Sequence, residues 1–269
     1  YDICYKNCNL KKFEFCYDLG LIILIMRNKI DLSPNYSKKT RKLKDIKFVV
    51  IHYTGMQSEI ESIERLKDPN KKVSSHYLIN RKGQITKMVH DRKIAWHAGK
   101  SKWKNFSNLN QYSIGIELVN KGYEFGYQKF SNIQIKSLIT LCKYLKRKYK
   151  IKDEYFLGHS DIAPLRKVDP GENFPWQRLS KYNLGLWYKE NLQNIKLQKN
   201  NKRYNFFNNI YKIGYRYFSL KKRTIKRDRK IIKAFQLRFL PNKVSGNLDQ
   251  KTLKISYYLA TMPKILKKP

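Results

Sequence analysis

The sequence predicts an α/β fold with a mixed central β-sheet flanked by helices, followed by a small all-α domain of three helices. Up to about residue 190, short apolar β-branched runs alternate with stretches of helical periodicity, which is the pattern of an α/β layer fold. One pair of runs flanks a tight turn and predicts a hairpin, so the sheet is expected to be mixed. Beyond Tyr188 the remaining patterns are helical.

The predicted strands share β-branched or aromatic composition and flanking turn residues. In chain order they are Lys47–His52, Ser75–Ile79, Gln84–Val89, Ser113–Val119 and Tyr155–His159. The second and third flank Asn80-Arg81-Lys82-Gly83, which is the hairpin signal.

Two helices are predicted between these strands. Ser58–Leu66 has Ser58 as its N-cap and ends at Asp68-Pro69. Ser131–Tyr149 is a longer amphipathic helix. Its apolar positions follow a spacing of three and four residues and are expected to face the core: Ile135, Leu138, Cys142 and Leu145.

The carboxy-terminal part is predicted to begin after a polar linker. Residues 191–204 are rich in Asn, Gln and Lys and suit a linker, and residues 205–262 then suit a small helical domain. A basic tail follows at 263–269. Asp249 is expected to cap a last helix that carries Leu253 and Tyr257. One earlier helical face, which ends at Pro241, is predicted to be structural: Ile231, Ile232, Phe235 and Phe239.

Residues 1–30 are interpreted as an amino-terminal extension. Their apolar run, Leu19–Met26, is far shorter than the ~20 residues that span a bilayer, so no stable membrane span is expected. A natural start at Met26 predicts a cytoplasmic protein. A functional signal or anchor predicts a periplasmic or cell-wall location, and a genuine extra element is the third interpretation.

The composition is strongly basic, with 58 Lys+Arg against 20 Asp+Glu and a formal charge of +38. This charge favours an anionic partner such as nucleic acid, a membrane surface or an acidic polymer. Compositional drift toward Lys, Asn, Ile and Tyr produces the same excess, so the charge alone does not name the partner. Hydrophobic residues are 41% and aromatic residues 14%, and a disordered basic tail lacks that aromatic content, so most of the chain is expected to bury a core. The cysteine spacing does not suit a thiolate zinc site.

Two histidines and an aspartate form a candidate metal site. His52 and His159 each close a predicted strand, and Asp169 lies in the loop that follows the second strand. Two imidazoles and one carboxylate leave a fourth position open, as in catalytic rather than structural zinc sites. Hydrogen-bonded core histidines are the alternative that these residues alone leave open.

Several short sequence motifs follow one another along the chain in one order and at consistent spacing. They are His52-Tyr53-Thr54-Gly55, Ser75-His76-Tyr77-Leu78-Ile79, Ala95-Trp96-His97-Ala98-Gly99, Ser113-Ile114-Gly115-Ile116-Glu117, Gly158-His159-Ser160-Asp161-Ile162-Ala163-Pro164 and Arg166-Lys167-Val168-Asp169-Pro170-Gly171. Together they resemble the zinc-dependent N-acetylmuramoyl-L-alanine amidase family, and within it the bacterial anhydro-muropeptide amidases. The resemblance runs from about Ser33 to Trp187 and implies a zinc amidase domain at 31–190.

The resemblance implies that His52, His159 and Asp169 hold one Zn²⁺. It also implies that Glu117 is the acid/base. Side chains alternate along a strand, so Glu117 is expected on the face opposite to Ile114 and Ile116. Lys167 would stabilise the oxyanion of the tetrahedral intermediate.

Three further residues are candidate substrate contacts. His97 is expected near the substrate, with structural packing as the alternative. Arg166 would pair with a carboxylate of the stem peptide. Trp96 would stack on sugar or peptide, with packing at the rim as its alternative. His76 is interpreted as a structural histidine.

The last helices resemble a peptidoglycan-binding-like domain through Ala234-Phe235-Gln236 and Gly246-Asn247-Leu248-Asp249. The implied activity is hydrolysis of the amide between N-acetylmuramic acid, or its 1,6-anhydro form, and L-alanine. This activity would serve the catabolism and recycling of cell-wall peptidoglycan. The protein is expected to be a monomer, and no nucleic-acid partner is expected. A non-catalytic peptidoglycan-binding protein is the alternative. The choice between intact wall and released muropeptide stays open.

Overall fold

The computed structural model describes residues 29–189, 191–197 and 200–265. The predicted extension up to residue 28, with its run Leu19–Met26, lies outside the described residues, as do the last four residues of the predicted tail. Location in the cell therefore stays a prediction. Within the described ranges, no helix is long and apolar enough to cross a membrane.

The chain alternates strands and helices up to Ser180 and is then helical. The strands are β1 (Tyr36–Thr40), β2 (Phe48–Tyr53), β3 (Tyr77–Ile79), β4 (Ile85–Lys87), β5 (Lys93–Ala95), β6 (Lys102–Trp103), β7 (Phe106–Ser107), β8 (Ser113–Leu118) and β9 (Phe156–Gly158). The α-helices are α1 (Glu59–Lys67), α2 (Asn132–Tyr149), α3 (His159–Ile162), α4 (Trp176–Ser180), α5 (Lys202–Ile213), α6 (Ile225–Phe239) and α7 (Gln250–Ile265).

The central sheet has the strand order β4-β3-β8-β2-β9. β3 and β4 form the predicted antiparallel hairpin, whereas β3, β8, β2 and β9 pair in parallel. The mixed α/β fold class is thereby confirmed. The small ladders β1–β5 and β6–β7 were not predicted. Two- and three-residue strands are too short to show a period, and β1 is largely exposed and lysine-rich.

Both helices begin where the sequence predicts, and Ser58 is the N-cap that was expected. The Ser58 side chain accepts the backbone N–H of Glu61, and the Ser131 side chain accepts that of Gln134. The predicted apolar stripe of α2 is buried against one face of the sheet, in a cluster that includes Leu138 and Cys142. Sequence periodicity therefore positions this helix correctly.

The opposite face of the sheet is covered by the carboxy-terminal helices. Phe48 and Leu157 of the sheet share one buried cluster with Phe206, Phe235 and Phe239. The sheet and the helices thus share one core on this side. The domain boundaries stay a prediction, and α5 already begins at Lys202, inside the predicted linker.

The last helix starts as predicted, because the Asp249 carboxylate accepts the Thr252 N–H at 2.7 Å. Leu253 is buried, whereas Tyr257, about one helical turn further along, is exposed. Because residues four apart lie on the same side of an α-helix, the buried stripe of α7 does not extend over the whole of that side.

Candidate active site

Three adjacent parallel strands end at one edge of the sheet. His52, near the end of β2, lies in register with Glu117 near the end of β8. On the other side of β2, β9 ends at Gly158, directly before His159. Because parallel strands bring their carboxyl ends to the same edge, side chains from distant parts of the sequence meet there.

The prediction that His159 closes the strand is wrong. The strand stops at Gly158, and His159 is the first residue of the short helix α3. The physical reason is the Asp161 carboxylate, which accepts the Gly158 N–H at 2.8 Å and turns the chain into a helix. The turn aims the imidazole of His159 at His52.

The structure brings together His52, His159 and Asp169. The Nδ1 atoms of both histidines are 3.0 Å apart, and the Oδ2 atom of Asp169 is 3.0 Å from His52 Nδ1 and 3.1 Å from His159 Nδ1. Ligand atoms on one face of a tetrahedral zinc site lie about 3.4 Å apart, so this triangle fits a small divalent metal. Among the described residues, His52, His159 and Asp169 are the group of three such donors whose ligand atoms lie close enough together to hold one ion.

A chain of hydrogen bonds fixes the tautomer of His52. Ser113 Oγ donates to the Leu109 carbonyl at 2.5 Å, so it can only accept from His97 Nε2, which lies 3.2 Å away. His97 Nδ1 is then unprotonated and accepts from His52 Nε2 at 3.0 Å. His52 Nδ1 therefore presents a lone pair to the cluster, as a metal ligand must.

His159 is oriented in the same way by the backbone. Its Nε2 lies 3.1 Å from the Ala98 carbonyl, to which it donates, so its Nδ1 faces the cluster. Burial, followed by the effect of His159, lowers the pKa of His52 to about 4, and burial likewise lowers the pKa of His97. Both of these rings are neutral near pH 7. Two lone pairs and a carboxylate at 3 Å repel one another unless a cation lies between them.

Glu117 completes the site. Its side chain is 8% exposed, and its Oε2 atom is buried without a hydrogen-bond partner among the described residues. Burial, followed by the negative charge of Asp169, raises the pKa of Glu117 to about 8. A buried carboxyl group with an unused oxygen has the properties of a general acid/base.

Two of the predicted substrate contacts, His97 and Arg166, make hydrogen bonds to other protein groups, whereas Trp96 is half-buried. His97 is buried behind His52, and both its ring nitrogens bond protein groups. Arg166 donates to the carbonyls of Ala98 and Lys100 and thereby holds the loop beside His159. Trp96 is half-buried at the end of β5. Lys167 is half-buried and close enough to influence the pKa of both His52 and Glu117.

Two supporting residues escaped sequence reasoning. Ser113 anchors the His97 ring, which lies so close to β8 that a Cβ on Gly115 would be 2.4 Å from His97 Cγ. The small Gly115 was the available signal for this contact. Tyr127 donates to the Pro170 carbonyl at 2.5 Å and accepts the Asn173 N–H at 3.1 Å, which holds the loop after Asp169. Its separation of over forty residues from that loop left no local signal.

Fold and site together define a class of protein: an α/β domain with a two-histidine, one-aspartate metal cluster and a buried carboxyl group at the carboxyl edge of its sheet. The family profile described as N-acetylmuramoyl-L-alanine amidase matches residues 42–172. The N-acetylmuramoyl-L-alanine amidase AmiD of Escherichia coli is 37% identical over 237 residues, which cover 78% of this chain and 81% of AmiD.

A solved structure of AmiD and a second relative extend the comparison. A structure of E. coli AmiD in complex with the substrate anhydro-N-acetylmuramic acid-L-Ala-D-gamma-Glu-L-Lys matches with a TM-score of 0.73 and 32% identity, covering 85% of this chain and 93% of that one. The 1,6-anhydro-N-acetylmuramyl-L-alanine amidase AmpD of Haemophilus influenzae is 35% identical over 54% of this chain and 86% of its own length. The chain belongs to the N-acetylmuramoyl-L-alanine amidase family and is a hydrolase of the amide bond between N-acetylmuramic acid and L-alanine.

Proposed function

We propose that the chain cleaves the amide between N-acetylmuramic acid and L-alanine with one Zn²⁺ held by His52, His159 and Asp169. The observation that carries this assignment is the triangle of donors about 3 Å apart, both imidazoles being fixed with Nδ1 inward. A zinc ion in such a site acidifies water to a pKa of about 7 and polarises a carbonyl. The metal identity rests on this donor set of two imidazoles and one carboxylate.

Glu117 is the general acid/base of the proposed reaction. Its free Oε2 accepts a proton from the water that attacks the lactyl carbonyl, and returns it to the departing amine of L-alanine. The pKa near 8 suits both transfers, since a group with a pKa near the working pH can take up and release a proton.

Lys167 is proposed to stabilise the oxygen that gains negative charge during the attack. Its positive charge acts on both His52 and Glu117, and the residue is half-buried, so water screens its field at the reaction site only in part. Arg166 and His97 act as positioning residues in this proposal, because their polar atoms are used by Ala98, Lys100, His52 and Ser113.

The substrate class is proposed from the relatives. AmiD is described in complex with an anhydro-muramyl tripeptide, and AmpD is named for the 1,6-anhydro sugar. We propose that this chain accepts anhydro-muropeptides of the same kind and so takes part in the breakdown and recycling of cell-wall material. A soluble muropeptide is therefore the substrate for the first test.

The test replaces the acid/base alone. Glu117→Gln should lower kcat by about 10²–10⁴-fold, the usual contribution of general acid–base catalysis, while bound zinc stays at the wild-type level. Zinc is measured by atomic absorption, and turnover by the appearance of L-alanine amino termini without new reducing sugars. Glu124→Gln is the matched control, because Glu124 is an exposed carboxylate.

Two results would contradict the proposal. Wild-type turnover in Glu117→Gln would remove Glu117 from the reaction. Tight muropeptide binding without any release of L-alanine amino termini by the zinc-loaded wild type would favour the alternative, a non-catalytic muropeptide-binding protein.

A further inference from the structure

A second cavity lies away from the metal cluster, between the loop that carries β6 and the start of α6. It has a volume of about 740 Å³. We call it the basic pocket and define it by six of its lining residues: Lys102, Arg216, Tyr217, Lys221, Lys222 and Arg227. Lys102 comes from the sheet-bearing part of the chain, and the other five come from the helical part.

The charge of the basic pocket is unbalanced. Asp228 is the acidic residue of its lining, and it is buried and paired with Arg203 at 2.7 Å and Arg223 at 3.7 Å. Lys221 and Lys222 are exposed, and their ammonium groups have no partner within the described part of the chain. Like charges held together raise the free energy of the folded state, which an anionic ligand would lower.

Tyr217 supplies an independent indication that a ligand binds here. Its backbone has φ +72°, a left-handed conformation that side-chain-bearing residues rarely adopt. Its hydroxyl is buried and has no hydrogen-bond partner among the residues that the structure describes. An unpaired buried hydroxyl is unfavourable, and a small turn of the Tyr217 ring toward the basic pocket, which this residue lines, would let a ligand oxygen satisfy it. Arg227 holds the Tyr217 carbonyl at 3.1 Å and so fixes this conformation.

The basic pocket adjoins the loop that packs behind the metal ligand His159. A smaller neighbouring cavity of about 230 Å³ shares Tyr217 and Arg227 with it and is also lined by Lys100 and Arg166. Arg166 donates to the Ala98 carbonyl, to which His159 Nε2 also donates. A polymer that is cut at the metal cluster could therefore extend along these cavities.

We propose that the basic pocket binds a carboxylate-bearing stem peptide of polymeric peptidoglycan, beside the segment that is cut. The inference rests on the proposed function. A stem containing γ-linked glutamate, like the one in the AmiD complex, keeps a free α-carboxylate that matches these cations and the Tyr217 hydroxyl. The place of these cavities beside the loop that Arg166 and His159 both bind favours this ligand over nucleic acid, which would need no proximity to the metal cluster.

The test separates polymer from small substrate. The triple variant Lys102→Glu/Lys221→Glu/Lys222→Glu changes exposed side chains of the basic pocket. Sedimentation with insoluble peptidoglycan, in a Glu117→Gln background that prevents cutting, should show affinity reduced by about tenfold or more and a weaker dependence on salt. Turnover of a soluble anhydro-muropeptide by the triple variant with Glu117 intact should stay within about twofold of wild type.

A control with the same change in charge makes the test specific. Lys71→Glu/Lys82→Glu/Lys136→Glu alters three exposed lysines outside the two cavities and should bind the polymer like wild type. Equal losses in both triple variants, or no loss in either, would overturn the proposal. So would tighter binding of a DNA duplex than of peptidoglycan that is lost in the pocket variant. Failure of the wild type to cleave the soluble muropeptide would instead overturn the proposed function.

Discussion

Two buried aspartates in the segment after β9 differ in where their counter-charge comes from. Asp161 is fully buried and accepts the Gly158 N–H, the Tyr215 hydroxyl and an Arg238 N–H, the last two at 2.5 Å. Asp169 is 7% exposed, and its Oδ2 faces two imidazoles.

The difference separates a structural charge from a functional one. Asp161 is neutralised by a cation of the chain itself: Arg238 of α6 enters the sheet-bearing part, lies over the Trp176 ring and also donates to the Phe156 carbonyl. Asp169 faces neutral imidazoles and needs a cation from outside. A buried carboxylate without an internal cation is thus the mark of the metal site in this molecule.

Replacing each aspartate by asparagine gives the largest contrast. Asp161→Asn should lower the free energy of unfolding by about 3–5 kcal/mol, because Arg238 is left buried and unpaired. Asp169→Asn should leave the stability of the metal-free protein within about 1 kcal/mol of wild type while removing metal binding and turnover. Urea unfolding of metal-free samples and zinc analysis check both.

The pair of aspartates also has a matched control. Arg203→Met breaks the Asp228 ion pair, which is far from the metal cluster and half-exposed on the arginine side, and should cost less than Asp161→Asn. If Asp161→Asn kept wild-type stability, Arg238 would not be the counter-charge on which this part of the fold depends.

The next effect concerns Glu117 and pH. The pKa of Glu117 in the folded, metal-free protein is about 8, against an ordinary value of 4.5, so the folded state binds the proton more tightly. The associated stability is present below about pH 4.5 and is lost as the pH rises through 8. Glu117→Gln should therefore stabilise the metal-free protein at pH 9, by on the order of 3 kcal/mol, and hardly at pH 4.5.

Thermal unfolding at several pH values measures this difference. Glu124→Gln, at an exposed position, should give a flat difference over the same range. A gain for Glu117→Gln that is equal at pH 4.5 and pH 9 would show that its ionisation is not the cause.

The smallest of the three effects concerns the hydrogen bonds that run from Ser113 through His97 to His52 and fix the tautomer of His52. His97→Phe removes the partners of His52 Nε2 and Ser113 Oγ but keeps a flat ring against Gly115. Zinc affinity should fall by about 10–100-fold, as for other outer-shell partners of ligating histidines. Competition with a chromophoric chelator measures the affinity.

His76→Phe is the control for this effect. His76 is buried beside His97, with ring centroids 5.6 Å apart, but its Nδ1 accepts the Gly115 N–H and makes no bond to His52. It should lose stability with unchanged zinc affinity. Equal losses of zinc affinity in both variants would contradict the relay through His97.

Much of the fold could be predicted because its signals are local. The N-cap Ser58, the turn between β3 and β4, and the apolar stripe of α2 lie within a few residues of the structure that they specify. The grouping of His52 with His159 and Asp169 was also predicted, since strand ends and loop residues appeared in the order of a known family.

The sequence by itself determined the period of each element, its caps and the kind of donors at the strand ends, because covalent neighbours fix these properties. Tertiary structure decided how the polar atoms are used. His97 turned inward to His52, Arg166 turned to loop carbonyls, and Arg238 reached Asp161 from 77 residues away. Such partners are chosen by burial, since a polar atom removed from water must bond whatever the fold brings near it, and no spacing along the chain encodes that choice.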